Sequence, residues 1–249
     1  MTLILNTWIF EATVQRGTSQ VDLVQRVADL GADGIEVRRE YFTDLMAEAA
    51  AVGHAAKQLG QIVNYSVPDE VFLDDGRMNP KLPQYFAEAQ TMGVTKIKFN
   101  TGHFDRFTGD LATELAKLPL NEIEMNVEND QTPVSGTVSA IQTFLAAVHQ
   151  QTSADLGYVY DLGNWAFTHG DAVAAAKALA PYTHYIHLKN TVDDHGTLKT
   201  TGDLDTGLYD WRQLLTHLPH DVHFALEYPM ATDEQIAQQI QLFRAGVGD

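Results

Sequence analysis

Four residues of types that bind divalent metal ions follow apolar stretches typical of β-strands. Glu128 ends the alternating run EIEMNVE, Asp161 ends LGYVYD, His187 lies in HYIHLKN and Glu227 lies in HFALEYP. Taken singly, an acid after a strand more often caps a helix or lies in a solvated loop. Three carboxylates pressed together, however, would raise one another's pKa values unless a cation lay among them. A metal site therefore requires a fold that brings these strand ends together.

The hydrophobic pattern predicts such a fold, because helical and strand-like segments alternate along the chain. Three helical patterns end at a glycine, and Gly31, Gly60 and Gly93 suit the left-handed conformation of a helix terminus. Eight strands are predicted, at residues 3–9, 33–38, 62–67, 95–101, 122–128, 157–161, 183–189 and 222–228. Helices are predicted near 19–30, 43–59, 81–92, 110–117, 137–151, 171–180, 210–218 and 233–245. The predicted N-caps are Ser19, Thr43, Asp110 and Asp171.

Eight strand–helix units in 249 residues predict an α/β fold, a single-domain (β/α)8 TIM barrel spanning residues 1–249. A doubly wound open sheet is the alternative, but the phosphate-binding patterns GxGxxG and GxxxxGK[ST] that would accompany it are absent. In a barrel the C-terminal ends of the strands converge on one face, where Glu128, Asp161, His187 and Glu227 would meet. Three carboxylates and one imidazole suit Mn²⁺, Mg²⁺ or Co²⁺ better than a structural zinc ion.

The composition favours a cytoplasmic protein that acts on small molecules. Lys and Arg number 16 against 33 Asp and Glu, and the net charge of −17 opposes binding to nucleic acid and to anionic membranes. No apolar run approaches the roughly 18 residues that span a bilayer, and no signal peptide is evident. The chain has no cysteine, so disulfides and thiolate metal sites are excluded. We expect no nucleic-acid partner and no membrane partner.

The same residues resemble those of the xylose isomerase-like TIM-barrel superfamily of sugar isomerases and epimerases. The resemblance covers the whole chain, from GADGIEVRRE, similar to the family's Gly-x-x-Gly-Ile-Glu-x-Arg run, to ALEYP. In the ketose 3-epimerase branch, Glu, Asp, His and Glu from strands 5 to 8 hold a metal, and Glu128, Asp161, His187 and Glu227 match them at spacings of 33, 26 and 40. The resemblance implies one divalent ion, Mn²⁺ first, with Mg²⁺, Co²⁺ or Zn²⁺ as alternatives. It also implies a homo-oligomer, a dimer or tetramer.

Two positions depart from the family pattern. Asn164 stands where the family often has His, three residues after the strand-6 Asp, and Asn190 stands where the family often has Asp after His-x-Lys. The related endonuclease IV branch needs a histidine-rich zinc cluster, and Asn164 removes one of its ligands. Together with the negative net charge, this argues against a nuclease.

The resemblance implies a sugar isomerase or epimerase acting on a ketose or related keto-polyol. The reaction would be proton abstraction α to a carbonyl through a metal-stabilised enediolate, with Glu128 and Glu227 as the catalytic acid–base pair. One alternative is a metal-dependent dehydratase of the inosose or 3-dehydroshikimate type, which starts with the same abstraction, and another is a non-catalytic sugar-binding barrel. No phosphate-binding loop or basic cluster is apparent, which favours an unphosphorylated substrate.

Further residues near the predicted strand ends are candidates for contacts with the substrate. The candidates are Arg38, His103, Asn164, Trp165 and Lys189. Salt bridges, loop caps and core packing are the alternative roles of these residue types. Glu36 is expected to orient Arg38 or the metal ligands. Asn6 and Lys98, like His103, could either bind the substrate or have a purely structural role. The long segment 190–211 is predicted to be a lid loop.

Overall fold

The computed structural model describes residues 1–248, and in this part of the chain eight parallel β-strands close into a barrel, as predicted. The barrel strands are β1 (Thr2–Asn6), β2 (Gly34–Arg38), β3 (Ile62–Phe72), β4 (Lys96–Gly102), β5 (Glu124–Glu128), β6 (Gly157–Asp161), β7 (Thr183–Leu188) and β10 (His223–Leu226), while β8 (Thr191–Asp194) and β9 (Thr197–Thr200) form a separate hairpin. Strand β1 closes the barrel by pairing in parallel with both β2 and β10.

Nine α-helices connect and surround the strands within the described residues. They are α1 (Glu11–Val14), α2 (Gln20–Asp29), α3 (Leu45–Leu59), α4 (Leu82–Met92), α5 (Leu111–Leu115), α6 (Val138–Gln151), α7 (Ala172–Leu179), α8 (Trp211–Leu215) and α9 (Asp233–Val247). The helices pack their apolar faces against the outside of the barrel, and this layer forms the large hydrophobic core. Between residues 1 and 248, no helix combines the length and the apolar character needed to cross a membrane.

The helix termini follow the local sequence signals with one exception. Gly31, Gly60 and Gly93 adopt positive φ values of 81°, 66° and 70° at the ends of their helices, as predicted. The predicted cap Thr43 is wrong, because the Asp44 side chain accepts the hydrogen bond from the backbone of α3. The hydroxyl and backbone N–H of Thr43 instead donate to the Glu48 carboxylate.

Three strands end two or more residues away from their predicted C-terminal boundaries, each for a local reason. Strand β1 ends at Asn6, whose side chain accepts from the backbone of Trp8 and starts a short 3-10 turn. Strand β3 continues past Pro68 to Phe72, with an irregular register between Ser66 and Glu70 that accommodates the proline. Strand β10 ends at Leu226, so the next residue, Glu227, lies just beyond the strand.

The segment 190–211, predicted to be a lid loop, contains regular secondary structure that its composition did not predict. Strands β8 and β9 pair in an antiparallel hairpin whose turn contains His195 and Gly196 at positive φ. The buried Asn190 side chain fastens the rest of the segment, donating to the backbone carbonyls of Leu204 and Tyr209 at 3.0 and 2.8 Å and accepting from the Tyr209 backbone at 3.2 Å. These hydrogen bonds give the segment a defined conformation.

The barrel interior is more polar than its outer face. A small apolar cluster of Ile4, Val159, Tyr185 and Ala225 lies inside the barrel, and buried polar side chains also lie there. Asn126, which is fully buried, fits because Gly157 stands beside it: a Cβ at position 157 would lie 2.1 Å from the Asn126 Oδ1 atom.

The N-terminal end of the barrel holds a small charged cluster far from the strand ends that carry the predicted ligands. Glu124, the first residue of β5, pairs with Lys96 at 2.5 Å and lies 3.4 Å from the Nδ1 atom of His184. Burial disfavours the ionised Glu124, but the contacts with His184 and Lys96 prevail and lower its pKa to about 2. The same contact raises the pKa of His184.

Candidate metal centre and active site

The C-terminal ends of four neighbouring strands bring the four predicted ligands together. Glu128 and Asp161 are the last residues of β5 and β6, His187 lies near the end of β7, and Glu227 follows β10. One ligand atom from each lies within 4.8 Å of those of the others, and all four residues are buried. The shared distance is compatible with one ion bound by all four side chains.

In each of the three carboxylates of this cluster, one oxygen atom is anchored by a hydrogen bond or ion pair with a residue outside the cluster. Lys98 contacts Glu128 at Oε2, and the backbone N–H of Asn164 donates to Asp161 at Oδ1 over 3.1 Å. Glu227 accepts at Oε1 from Asn6 at 3.0 Å and from Arg38 at 2.9 Å. These three anchored oxygens fix the carboxylate orientations and leave the second oxygen of each group directed at the others.

Two of the remaining oxygens lack a satisfactory hydrogen bond. Glu128 Oε1 and Asp161 Oδ2 are buried, and neither makes a hydrogen bond of good geometry. Their nearest polar groups are His187 Nδ1, 2.9 Å from Glu128 Oε1, and Lys189 Nζ, 2.6 Å from Asp161 Oδ2. A buried carboxylate oxygen that lacks a well-oriented hydrogen bond is unfavourable, and a bound cation or ordered water would satisfy it. Oxygen ligands and one imidazole are the donor set that Mn²⁺ and Mg²⁺ prefer. The residues present therefore fit a divalent metal ion.

His187 is oriented by a carboxylate that does not belong to the cluster. Its Nε2 atom lies 3.2 Å from Glu36 Oε2, and Asn6 donates to the other oxygen of Glu36. When Nε2–H donates to Glu36, the Nδ1 lone pair faces the cluster, where it lies 2.9 Å from Glu128 Oε1 and 3.0 Å from Glu227 Oε2. This carboxylate–histidine arrangement is typical of metal sites. The prediction that Glu36 orients a neighbour thus applies to His187.

Three basic side chains surround the ligands, although no basic cluster was apparent in the sequence. Besides Lys98 and Arg38, the Lys189 Nζ atom lies 2.6 Å from Asp161 Oδ2 and 3.3 Å from Glu227 Oε2. Lys98 and Lys189 are only 6% and 5% exposed, so their charges act in a low-dielectric environment. The lysines come from different strands, β4 and the end of β7, which explains why linear sequence did not group them.

The electrostatic environment keeps the two glutamates ionised. Burial opposes their charge, but Lys98 and His187 prevail at Glu128, and Lys98, Lys189 and His187 prevail at Glu227, so both pKa values fall below the ordinary range. The pKa of Asp161 is raised instead, because burial outweighs the attraction of Lys189. The pKa of His187 is raised well above its ordinary value, because Glu36 and Glu227 outweigh burial.

The cluster opens into a cavity of about 310 Å³. Its lining includes Glu128 and Glu227 and three of the predicted substrate-contacting residues, Arg38, Asn164 and Lys189. Trp8, at the end of the first strand–turn unit, adds an aromatic wall. The size and mixed polar and aromatic lining are those of a site for a small polar molecule.

Two other predicted substrate-contacting residues are not brought to this cavity. His103 lines a neighbouring cavity and lies between Asp74 and Asp105, at 3.3 and 3.5 Å. Trp165 is 1% exposed and packs against Tyr160 at 6.1 Å between ring centroids. His103 follows β4 by one residue, and the loop turns it away from the barrel axis, whereas Trp165 is a core residue.

Asn129 is a supporting residue that sequence reasoning missed. It is fully buried, and its side chain bonds both the backbone N–H and the carbonyl of Asp161, each at 2.9 Å. Asn164 donates in turn to the backbone carbonyl of Asn129 at 2.7 Å, and Gln131 donates to the Asn164 side chain at 3.0 Å. Its position directly after Glu128, where β5 stops, is the signal that could have identified it.

Comparisons with solved structures identify the same architecture. No protein-family model matches the chain, and no curated protein sequence matches it. An L-ribulose 3-epimerase superposes with a TM-score of 0.71 at 15% identity, covering 100% of this chain and 95% of its own. A probable 3-DHS dehydratase, AsbF from Bacillus anthracis, superposes with a TM-score of 0.70 at 15% identity, covering 98% of both chains.

A further solved structure carries the architecture in its name. It is a fusion protein of a xylose isomerase-like TIM barrel and a 4-hydroxyphenylpyruvate dioxygenase, with a TM-score of 0.68 at 14% identity, and the match covers 97% of this chain and 42% of that one. These low identities establish the fold alone. The chain therefore shares the TIM-barrel fold of these proteins, as the alternation of strand and helix patterns predicted.

Proposed function

We propose that this protein is a divalent-metal-dependent isomerase or epimerase that acts on a ketose or related keto-polyol by removing a proton α to the carbonyl. The observation that carries the proposal is that two glutamates of the four-ligand cluster, Glu128 and Glu227, border the same cavity. Structural similarity to L-ribulose 3-epimerase supports a sugar substrate.

The ion would be held by Glu128, Asp161, His187 and Glu227, with Mn²⁺ as the first candidate. When bound, it supplies Lewis acidity to the carbonyl and adjacent hydroxyl of the substrate. The anchored oxygens of the three carboxylates keep the ligands in place, so little reorganisation accompanies binding.

The two glutamates are placed to move a proton. Strands β6 and β7 separate β5 from β10 around the barrel, so Glu128 and Glu227 approach the cavity from different sides. Neighbouring cations favour the ionised form of both carboxylates, so either can accept a proton from the carbon next to the carbonyl. The other carboxylate must first take up a proton from water before it can deliver one to the opposite face of that carbon. Their similar surroundings suit a reversible reaction, in which acid and base exchange roles.

Three further residues would bind and enclose the substrate. Arg38 and Lys189 carry positive charges and line the cavity, so they can donate hydrogen bonds to substrate oxygens. The indole of Trp8 lies 5.7 and 5.3 Å from their charged groups and can cover the C–H face of a sugar, which excludes water from the reacting carbon.

The proposal is tested by proton exchange. The Mn²⁺-loaded protein is incubated in D₂O with ketoses, inososes and 3-dehydroshikimate, and NMR follows deuterium entering the carbon α to the carbonyl. We expect incorporation with the native chain and a loss of on the order of 100-fold or more in Glu128→Gln and Glu227→Gln. Circular dichroism checks that each variant is folded. Near-native exchange in both variants would refute the assignment of the two glutamates.

A metal-dependent dehydratase is the second candidate. The probable 3-DHS dehydratase superposes as well as the epimerase does, with TM-scores of 0.70 and 0.71. Dehydration lowers the product mass by one water and creates a conjugated absorbance, whereas epimerisation changes neither. The same incubation therefore separates the two reactions by mass spectrometry and ultraviolet absorbance.

A further inference from the structure

We propose that the Lys189 ammonium acts as an internal substitute for the metal ion, which displaces it on binding and so turns it toward the substrate cavity. This inference rests on the proposed metal-dependent function. It assigns Lys189 a positioning role, because metal binding would make its ammonium available to a substrate oxygen.

The contacts of Lys189 single it out among the basic residues of the site. Its Nζ atom lies 2.6 Å from Asp161 Oδ2 and 3.3 Å from Glu227 Oε2. Both oxygens are the inward-facing ones, because Asn164 and Arg38 hold the other oxygen of each carboxylate. A cation bound to these two oxygens and a lysine ammonium at the same oxygens would occupy overlapping space and repel each other.

Lys98 is the residue with which the position of Lys189 can be compared. It is as buried as Lys189 and also pairs with a ligand carboxylate, but it contacts the anchored oxygen of Glu128, Oε2. Glu128 Oε1 stays free for the ion. Lys98 therefore stabilises the site from outside, whereas Lys189 lies inside it.

The cavity provides an alternative position for the Lys189 ammonium group. Its side chain lines the cavity, and its Nζ atom already lies 5.3 Å from the centre of the Trp8 ring, whose face attracts a cation. The stem of the side chain is packed against Gly163, where a Cβ would lie 2.9 Å from Lys189 Cγ. The stem can therefore stay in place while the terminal ammonium rotates away from Asp161.

The test measures Mn²⁺ affinity by isothermal titration calorimetry in the native chain and in the matched variants Lys189→Met and Lys98→Met. Both variants remove one buried positive charge, so general electrostatics affects them alike. We expect Lys189→Met to bind Mn²⁺ about tenfold more tightly than Lys98→Met, since only the former removes a competitor for the ligand oxygens. Lys189→Gln should behave like Lys189→Met.

The outcomes separate this inference from the proposed function. Equal affinities of Lys189→Met and Lys98→Met, with Mn²⁺ binding intact in the native chain, overturn only the role of Lys189. Binding by Lys189→Met but not by the native chain supports the competition, whereas binding by neither overturns both proposals. If the Lys189 variants are unstable, Mn²⁺ should restore their thermal stability by replacing the lost charge; failure to restore it would also overturn the inference.

Discussion

Replacing Glu36 with glutamine tests how the site orients its histidine. Two donors converge on the Glu36 carboxylate, since Asn6 donates to one oxygen and His187 Nε2 lies 3.2 Å from the other. Glutamine has one acceptor oxygen, so it can serve only one of these donors and must turn an N–H toward the other. The substitution therefore removes one charge-assisted hydrogen bond in a fully buried position.

A hydrogen bond to a charged group contributes about 1.5–3 kcal/mol. Because every 1.4 kcal/mol is roughly tenfold in affinity, we expect Glu36→Gln to weaken Mn²⁺ binding by about 10- to 100-fold. Isothermal titration calorimetry measures the affinity, and Glu124→Gln is the matched control. Glu124 is also a charged residue of a barrel strand, but it lies at the opposite end of the barrel and contacts none of the four ligands. The substitution Glu124→Gln should therefore leave the Mn²⁺ affinity unchanged.

Unchanged Mn²⁺ affinity in Glu36→Gln, with a native circular dichroism spectrum, would show that His187 does not need Glu36 to present Nδ1 to the ion. An equal loss in Glu124→Gln would mean that general destabilisation, rather than histidine orientation, weakens binding.

Three further predictions concern stability. Folding lowers the pKa of Glu124 from 4.5 to about 2, so its contribution to the free energy of unfolding, about 3 kcal/mol, is present above pH 4.5 and is lost as the pH falls toward 2. In urea unfolding measured at a series of pH values, the free energy of unfolding should therefore fall less steeply below pH 4.5 in Glu124→Gln than in the native chain. Gly157→Ala should lower the free energy of unfolding in urea by about 1–3 kcal/mol, because its Cβ would collide with Asn126, and no loss would contradict the tight packing there. Asn190→Ala should lower the free energy of opening the segment it fastens by about 1–3 kcal/mol, measured by hydrogen exchange, whereas unchanged protection would show that the segment is held elsewhere.

The alternation of helical and strand-like periodicities was sufficient to predict the barrel and the spatial grouping of the four candidate ligands. Parallel strands place their C-terminal ends on one face whatever the loops between them do, so Glu128, Asp161, His187 and Glu227 could be grouped from their positions at strand ends alone. The β8–β9 hairpin was not predicted, because its strands are short and largely exposed and their pairing depends on a turn rather than on an apolar face.

The direction of individual side chains was harder to predict. Arg38 ends strand β2, and His103 and Trp165 follow the ends of β4 and β6, yet His103 lines another cavity and packing buries Trp165. Lys98 and Asn6 reach the site because they lie inside the barrel on β4 and β1, and whether a strand residue faces the axis depends on the barrel register. Such contacts between distant strands leave no trace in local sequence.

The anchored carboxylate oxygens are held mainly by a different part of the chain from the part that carries the carboxylates. The residues that hold them are largely strand residues from the first half of the chain, namely Asn6, Arg38 and Lys98, whereas the four predicted ligands come from the second half. On the proposed function, substitutions in the first half would therefore change the affinity for the ion while the set of predicted ligands stays complete. Loops around the rim can meanwhile diverge to admit other small molecules, because the ligands are braced mainly from within the barrel wall.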